Sequence, residues 1–152
     1  MQPSRLIAST VSVVLACSTA RAAAPTGQYT VQAAAGTVKD NTSGLTWQRA
    51  HSASTLSWDA ANTYCATLVL GGFANGWRLP TKFELETIVD WQLKNPAIDL
   101  DAFPNTKPET FWTSTVSASS GANYWSVSFY SGYTNAPSSS TNSNWARCVR
   151  AG

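Results

Sequence analysis

Three cysteines divide this chain in a way that limits how it can fold. Cys17 lies in an N-terminal stretch with the features of an export signal, whereas Cys65 and Cys148 lie far apart in the remainder. Removal or lipidation of Cys17 leaves an even pair, and an oxidising compartment favours a bridge within that pair. We therefore expect a Cys65–Cys148 disulfide, and the alternative is two buried free thiols.

Residues 1–22 have the features of a signal peptide. Arg5 supplies a positive charge, residues 6–16 are mostly apolar but too short to span a bilayer, and Ala20-Arg21-Ala22 fits a small-x-small cleavage site. Val14-Leu15-Ala16-Cys17 offers a second interpretation, because it resembles a bacterial lipobox that would end the signal at residue 16 and lipidate Cys17. Both interpretations predict an exported bacterial protein, either periplasmic, at the cell surface or secreted, or an outer-membrane lipoprotein. We expect no membrane contact other than such a lipid anchor.

Loss of this segment changes the charge of the chain. The whole sequence has ten Lys and Arg and eight Asp and Glu residues, and removal of Arg5 and Arg21 leaves eight of each sign. The remaining chain of about 130 residues has the size of one domain. Its neutral balance and the lack of a basic stripe argue against a nucleic-acid partner.

Residues 23–36 are rich in Ala, Gly and Thr and are interpreted as a leader or linker that contains at most one strand, at Tyr29–Val31. The next segments, Thr37–Asp40 and Leu45–Arg49, flank an Asn-Thr-Ser-Gly cluster. Two short alternating runs around such a cluster predict a β-hairpin. Its core-facing side chains would be Val38, Leu45 and Trp47.

Residues 57–68 predict a first helix. Trp58, Ala61, Cys65 and Leu68 fall on one stripe at helical spacing, and Ser57 is a suitable N-cap. Because Cys65 lies on the apolar stripe, its disulfide partner is expected beneath this helix.

The segment Asn75–Ile88 concentrates tryptophan, arginine, proline and glutamate, and we interpret it as scaffold. Thr81 and Glu84 have the spacing of a capping box at the start of a second helix. Arg78 is expected to pair with a carboxylate, since a guanidinium near a core needs a partner. The structural residues of this and the preceding helix are Trp58, Trp77, Arg78, Leu79, Pro80, Thr81 and Glu84.

The C-terminal half predicts strands near residues 111–115, 124–130 and 145–150. In the middle strand the alternation places Trp125, Val127 and Phe129 inward and Tyr124, Ser126, Ser128 and Tyr130 outward. Residues 135–144 form a polar Ser/Asn/Thr run that we interpret as a loop.

Taken in order, these segments resemble a known bacterial family. The matching segments are Thr37–Asp40, Thr42–Trp47, Trp58-x-x-Ala61-x-x-Tyr-Cys65, Trp77–Leu85, Ile98-Asp99, Phe103–Asn105, Phe111–Ser114 and Arg147–Arg150. The chain is similar, over residues 37–150, to the C-terminal domain of the Legionella collagen-like protein, and it resembles the C-type-lectin-like fold. The resemblance implies an α+β domain with two helices on short antiparallel sheets, with the first helix tied to the last strand by a disulfide. It also implies a link with adhesion, because some relatives bind sulfated polysaccharides.

The sequence argues against catalysis and metal binding. His51, the single histidine, has no neighbouring Cys or His in the sequence, and the loops lack the carboxylate and amide pattern of calcium-dependent lectins. Formylglycine-generating enzymes, the catalytic relatives of this fold, need reactive thiolates, which a structural bridge would remove. Glu84 and Glu86 would point to different sides of a helix, so they cannot act together as the carboxylate pair of a glycosidase. We expect no cofactor, no metal and no enzymatic activity.

A binding role therefore fits best. Aromatic residues beside Ser, Asn and Gly are typical of recognition surfaces, and the candidate ligand-binding residues are Tyr124, Tyr130, Tyr133, Asn135, Asn142, Asn144 and Trp145. The expected ligand is a polysaccharide or surface glycan, bound on the face formed by the C-terminal loop. The alternative is a structural or protein-binding component of a cell-envelope assembly. A display scaffold with a diversified C-terminal loop is a third interpretation.

Overall fold

The computed structural model describes residues 24–152, which form an α+β structure with two helices and two antiparallel sheets. The predicted signal peptide, both cleavage positions and Cys17 lie outside these residues. None of the helices within 24–152 has the length and apolar character needed to cross a membrane. In chain order the elements are β1 (Tyr29–Gln32), a 3-10 turn (Ala33–Ala35), β2 (Thr37–Asp40), β3 (Leu45–Gln48), α1 (Trp58–Ala66), α2 (Lys82–Glu86), β4 (Thr110–Ser117), β5 (Ser120–Ser128), β6 (Thr134–Ser139) and β7 (Val149–Ala151).

The first sheet has four strands in the order β1-β2-β3-β7, and each neighbouring pair is antiparallel. The predicted hairpin is confirmed as β2 and β3, in which Val38 lies opposite Trp47 and both side chains are fully buried. β1 pairs with β2 along its whole length. Residues 29–32, within the segment interpreted as a leader, are therefore part of the sheet.

The second sheet has the order β4-β5-β6. The strand expected near residue 111 is confirmed as β4, but the interpretation of residues 135–144 as loop is wrong for the first half of that run, which belongs to β6. Among the strands within residues 24–152, β6 lies at the edge of its sheet and pairs with β5 alone, and its half-exposed side chains need not be apolar. Pro137 fits this position, because an edge strand tolerates a residue that cannot donate to the ladder.

Apolar side chains cover both faces of the second sheet. Phe111 and Val127 pack with Leu85 of α2, whereas Trp112, the neighbour of Phe111, packs with Ala61 of α1. Alternate residues of β4 thus belong to two separate clusters. Of the side chains that the alternation of the middle strand places outward, Tyr130 is exposed, as predicted, whereas Ser126 is buried, so the alternation is wrong at that position.

Tyr124 and Ser126 are the residues most affected by this arrangement. The register of β5 against β6 is irregular between them, and Ser126 is buried. The Tyr124 ring is half-buried and lies parallel to the ring of Trp58, with 3.7 Å between the ring centroids. Trp125, expected inside, is also only half-buried.

The predicted Cys65–Cys148 disulfide is confirmed, and both residues are fully buried. It ties α1 to the C-terminal segment. That segment connects the two sheets, because Trp145 pairs with Phe111 of β4 while Val149 pairs with Trp47 of β3.

As predicted, Ser57 caps α1 by accepting a hydrogen bond from the backbone N–H of Ala60.

The segment interpreted as scaffold also forms its predicted contacts. Thr81 and Glu84 make both hydrogen bonds of the capping box at the start of α2. Arg78 donates two hydrogen bonds to the Glu84 carboxylate, at 2.7 and 2.6 Å. The Arg78 guanidinium, foremost among several groups, lowers the pKa of Glu84 from 4.5 to about 2. This carboxylate therefore stabilises the start of α2 twice, by capping its backbone and by holding Arg78.

Candidate functional site

The seven predicted ligand-binding residues lie in separate parts of the structure. Tyr130 and Tyr133 are exposed in the turn between β5 and β6, whereas Tyr124 stacks on Trp58 beside α1. Asn135 donates a hydrogen bond to the Thr110 hydroxyl, and Trp145 donates one to the Glu109 carboxylate. Asn144 pairs through its backbone with Leu56, and Asn142 is exposed. The structure therefore brings only part of the predicted set together on one surface.

The turn between β5 and β6 forms an aromatic patch with Trp91, which the sequence analysis missed. We define the aromatic patch as Trp91, Tyr130 and Tyr133, whose exposed fractions are 62%, 57% and 67%. The Trp91 and Tyr133 rings are 6.0 Å apart between centroids at an angle of 68°. Exposed apolar side chains that adjoin one another are a feature of interaction sites, whereas isolated ones are ordinary on a protein surface.

Backbone hydrogen bonds hold the two segments of the aromatic patch together. The N–H of Asn95 donates to the carbonyl of Tyr130 at 2.8 Å, and the N–H of Ala97 donates to the carbonyl of Phe129 at 2.6 Å. The loop that carries Trp91 is thereby fixed against the end of β5. No local sequence signal marks this contact, because it joins residues more than thirty positions apart through main-chain atoms.

A cleft of about 240 Å³ opens beside Trp91. Its polar lining includes Tyr29, Asp90, Gln92 and Asp99. The Asp90 carboxylate accepts a hydrogen bond from the backbone N–H of Gln92 at 2.9 Å, and the Asp99 carboxylate accepts one from the N–H of Asp101 at 2.8 Å. Both carboxylates are therefore held in fixed positions at the cleft.

The hydroxyl of Tyr29, which lines this cleft, has a raised pKa. Burial is the largest of the effects that raise the pKa of Tyr29 well above its usual value, and the charges of Asp40, Asp99 and Asp90 raise it further. The buried Arg147 opposes them. Tyr29 therefore remains a neutral hydroxyl, mainly because it is buried.

Trp145 and His51 are engaged in internal contacts. The Trp145 indole N–H donates to the Glu109 carboxylate at 2.7 Å, and the His51 ring packs edge-on against Trp145 with 4.7 Å between centroids. The two His51 ring nitrogens lie 2.7 and 3.0 Å from the backbone carbonyls of Ser52 and Asn105. Within residues 24–152, no three His, Cys, Asp or Glu side chains come together in an arrangement that could hold a metal ion.

Arg147 is a fully buried cation that sequence reasoning did not single out. It donates to the Ala50 carbonyl and the Thr106 hydroxyl, and its guanidinium carbon lies 4.8 Å from the centre of the Phe103 ring. Burial lowers the pKa of Arg147 to about 9. These contacts join the C-terminal segment to the loop that precedes β4, which is a structural role.

Comparison with known proteins gives one clear result. The family model described as the Lcl C-terminal domain matches residues 36–150, which is most of the chain and all of both sheets except β1 and the last residue of β7. A search of curated proteins finds no significant match. The range agrees with the one over which the sequence motifs showed the resemblance. The chain belongs to the Lcl C-terminal domain family.

Proposed function

We propose that this chain is an exported, non-catalytic binding module of the C-type-lectin-like type that recognises carbohydrate through the aromatic patch. The two helices, the two short antiparallel sheets and the bridge from α1 to the C-terminal segment support that fold type. The disulfide supports export, because such bonds form and persist in oxidising compartments. The ligand would be a polysaccharide or a cell-surface glycan, and the role would be adhesion.

The observation that carries this proposal is the pair of neighbouring exposed rings of Trp91 and Tyr133, with the exposed Tyr130 in the same turn as Tyr133. Aromatic rings offer rigid apolar faces with little conformational entropy to lose, and such faces suit the apolar side of a sugar ring. The adjoining cleft supplies hydrogen-bonding groups, namely Asp90, Gln92 and Tyr29, for hydroxyl groups. An apolar surface with a few fixed polar groups is the usual composition of a small-ligand site.

The contacts of the acidic and sulfur groups support a non-catalytic role. Glu84 is occupied by Arg78, Glu86 accepts a hydrogen bond from Thr134, and both cysteines are bridged. A carboxylate pair for glycoside hydrolysis needs both groups free to face one bond of the substrate. Neither α2 carboxylate meets that requirement.

One observation favours a protein partner instead, as in an envelope assembly. Phe83 is 71% exposed on α2, and Lys82 lies over its ring and over that of Trp125 at 4.9 and 5.1 Å from the centroids. Aromatic and cationic groups of this kind are common in protein interfaces.

The test is a glycan array with the exported protein in its oxidised form. We expect selective binding that is lost in Trp91→Ala and Tyr133→Ala and kept in Phe83→Ala, a matched exposed aromatic outside the patch. Retention in EDTA is expected, since the proposal involves no metal. Binding that survives both patch substitutions but is lost in Phe83→Ala would transfer the function to the α2 surface. Absence of binding to any glycan would contradict the proposal.

A further inference from the structure

We infer that Asn75 is a site of spontaneous deamidation, a covalent modification that turns its side-chain amide into a carboxylate. The site lies on the link between α1 and α2, away from the residues that form the aromatic patch. The modification needs no ligand and no partner protein, so it stands apart from the proposed carbohydrate-binding function.

Asn75 is the only asparagine of the chain that precedes a glycine. Both residues are exposed, and Gly76 has a φ of +85°. Because glycine has no Cβ atom, its backbone nitrogen can approach the preceding side chain with little steric hindrance. Asparagine is a thermolabile residue, and this approach is the first step of its breakdown.

The link that carries this asparagine is not restrained by hydrogen bonds of its own. It runs between two backbone bridges, one joining Leu70 to Phe73 and the other joining Arg78 to Val149. Within residues 24–152, the backbone groups of residues 74–77 and the asparagine side chain make no hydrogen bond. The link can therefore change its backbone angles without breaking a hydrogen bond, which makes a local opening inexpensive.

The reaction consumes only water. The backbone nitrogen of Gly76 gives up its proton and bonds to Cγ of Asn75, while the bond from Cγ to Nδ2 breaks. The Nδ2 group takes up a proton and leaves as ammonia, so that a five-membered succinimide joins the two residues. Water then adds to either carbonyl carbon of the ring, which opens to an aspartyl or an isoaspartyl residue.

Arg150 places a positive charge beside Gly76. A Cβ atom on the glycine would lie 3.7 Å from Nε of Arg150 and 3.8 Å from its Nη2. The central carbon of the guanidinium lies 3.7 Å from the centre of the Phe73 ring, and Nε makes no hydrogen bond within residues 24–152. A cation at this distance favours the negative charge that develops on the Gly76 nitrogen, and we expect it to raise the reaction rate severalfold.

Three other exposed asparagines lack at least one of these features. The side-chain amide of Asn41 donates two hydrogen bonds, both at 2.9 Å. Asn62 lies within α1, where helical hydrogen bonds hold the backbone in place. Asn142 precedes a serine, whose Cβ atom hinders the approach to the backbone nitrogen. Asn75 should therefore react before all three.

The test follows deamidation in the protein folded under oxidising conditions and held at neutral and at mildly alkaline pH. After reduction, tryptic digestion releases residues 50–78, a peptide that contains Asn75 together with Asn62 as an internal reference. Mass spectrometry measures the small gain in mass at each asparagine, and chromatography separates the aspartyl and isoaspartyl products. We expect Asn75 to convert fastest, into both products, at a rate that rises with pH.

Variants separate the chemistry from its surroundings. Asn75→Gln should remove the fastest-forming acidic species, because the longer side chain does not close a five-membered ring. Arg150→Gln should slow the conversion severalfold in the folded protein and leave it unchanged in urea, where the guanidinium no longer lies beside Gly76. Asn142→Gln, at an exposed position outside the link, is the matched control and should behave as the wild type.

Conversion of Asn62 or Asn142 ahead of Asn75 would overturn the inference, and so would conversion at Asn75 that occurs only in urea. Equal rates in folded Arg150→Gln and in the folded wild type would refute the part assigned to the cation. The measured quantity is the mass of a peptide, so the result does not depend on whether any glycan binds.

Discussion

Gly132 lies so close to Val89 that a Cβ atom on the glycine would be 2.6 Å from Cγ1 of the valine. The same atom would be 3.3 Å from the Trp91 ring, and the glycine has a φ of +83°. This contact allows the β5–β6 turn to press Tyr133 toward Trp91. We expect Gly132→Ala to lower the free energy of unfolding by about 2–4 kcal/mol, through the unfavourable φ and the overpacking together. Urea unfolding measures this, and glycan binding should weaken as the patch is displaced.

Gly72 provides a matched control for this substitution. It has the same φ of +83°, but a Cβ atom there would meet nothing within 4 Å. Gly72→Ala should therefore cost only about 1–2 kcal/mol, the backbone contribution alone, and leave binding intact. Equal costs at the two positions would show that the approach to Val89 is not tight.

The Glu84 carboxylate should make stability depend on pH in the acid range. Its pKa is about 2 in the folded protein against 4.5 as the ordinary value, with the hydrogen bonds from Arg78 as the main cause. A folded pKa below the unfolded one stabilises the fold fully above about pH 4.5, and the stabilisation disappears as the pH falls through about 2. The Arg78 side chain is 45% exposed, so solvent screening reduces the contribution to about 1–2 kcal/mol.

Glu84→Gln tests this pair, because glutamine at this position can keep the capping box while it removes the charge. Unfolding free energies at pH 7 and at pH 2 should differ less in the variant than in the wild type. Asp59→Asn, whose exposed carboxylate forms no ion pair within residues 24–152, should leave the difference unchanged. An unaltered pH dependence in Glu84→Gln would assign the acid sensitivity to other carboxylates.

Tyr124 should matter for stability and not for binding. Its ring lies on Trp58, and the Trp58 indole N–H donates to the Thr113 carbonyl, so the stack joins α1 to the second sheet. Tyr124→Ala is expected to lower the free energy of unfolding by about 1–2 kcal/mol. Tyr133→Ala, at an exposed position, should show the reverse: lost glycan binding with a melting temperature close to that of the wild type. Loss of binding in Tyr124→Ala at full stability would return that residue to the site.

The Cys65–Cys148 bridge should dominate the stability of the fold. For a sequence separation of 83 residues, the chain-entropy model gives about 4–5 kcal/mol. Cys65→Ala/Cys148→Ala should unfold at a much lower urea concentration, and the wild type in reductant should behave like the variant. Mass measurement after alkylation provides the check on the pairing, and two free thiols in the protein folded under oxidising conditions would contradict it.

Patterns within one segment allowed accurate predictions of local structure. The hairpin of β2 and β3, the cap at Ser57 and the box of Thr81 and Glu84 depend on residues at most a few positions apart, and each is present. The cysteine pairing was also predictable, because only two of the three cysteines lie outside the N-terminal stretch that resembles an export signal.

Long-range contacts through backbone atoms were not predictable. The Trp91 ring lies near the Tyr133 ring because the backbone N–H of Asn95 donates a hydrogen bond to the Tyr130 carbonyl and so holds the two segments together. Hydrogen bonds between main-chain atoms produce no recognisable side-chain pattern in the sequence. β6 was not predicted because backbone hydrogen bonds to β5 hold it at the edge of the sheet. A strand held in this way does not need alternating apolar side chains, which are the signal that sequence analysis uses. Tyr124 was assigned to the solvent by an alternation rule that holds only when one face of a sheet is open.

The position of the disulfide also determines how the chain would respond to a mechanical pull. Tension applied between residue 24 and residue 152 would pass from α1 to the C-terminal segment through the two sulfur atoms. Residues 66–147, which include Trp91, Tyr130 and Tyr133, would carry none of the load. Only residues 24–64 and the last few could extend, by roughly 3.3–3.6 Å each. A surface protein under shear flow would thus lose its first sheet while the segment that bears the aromatic patch stayed slack.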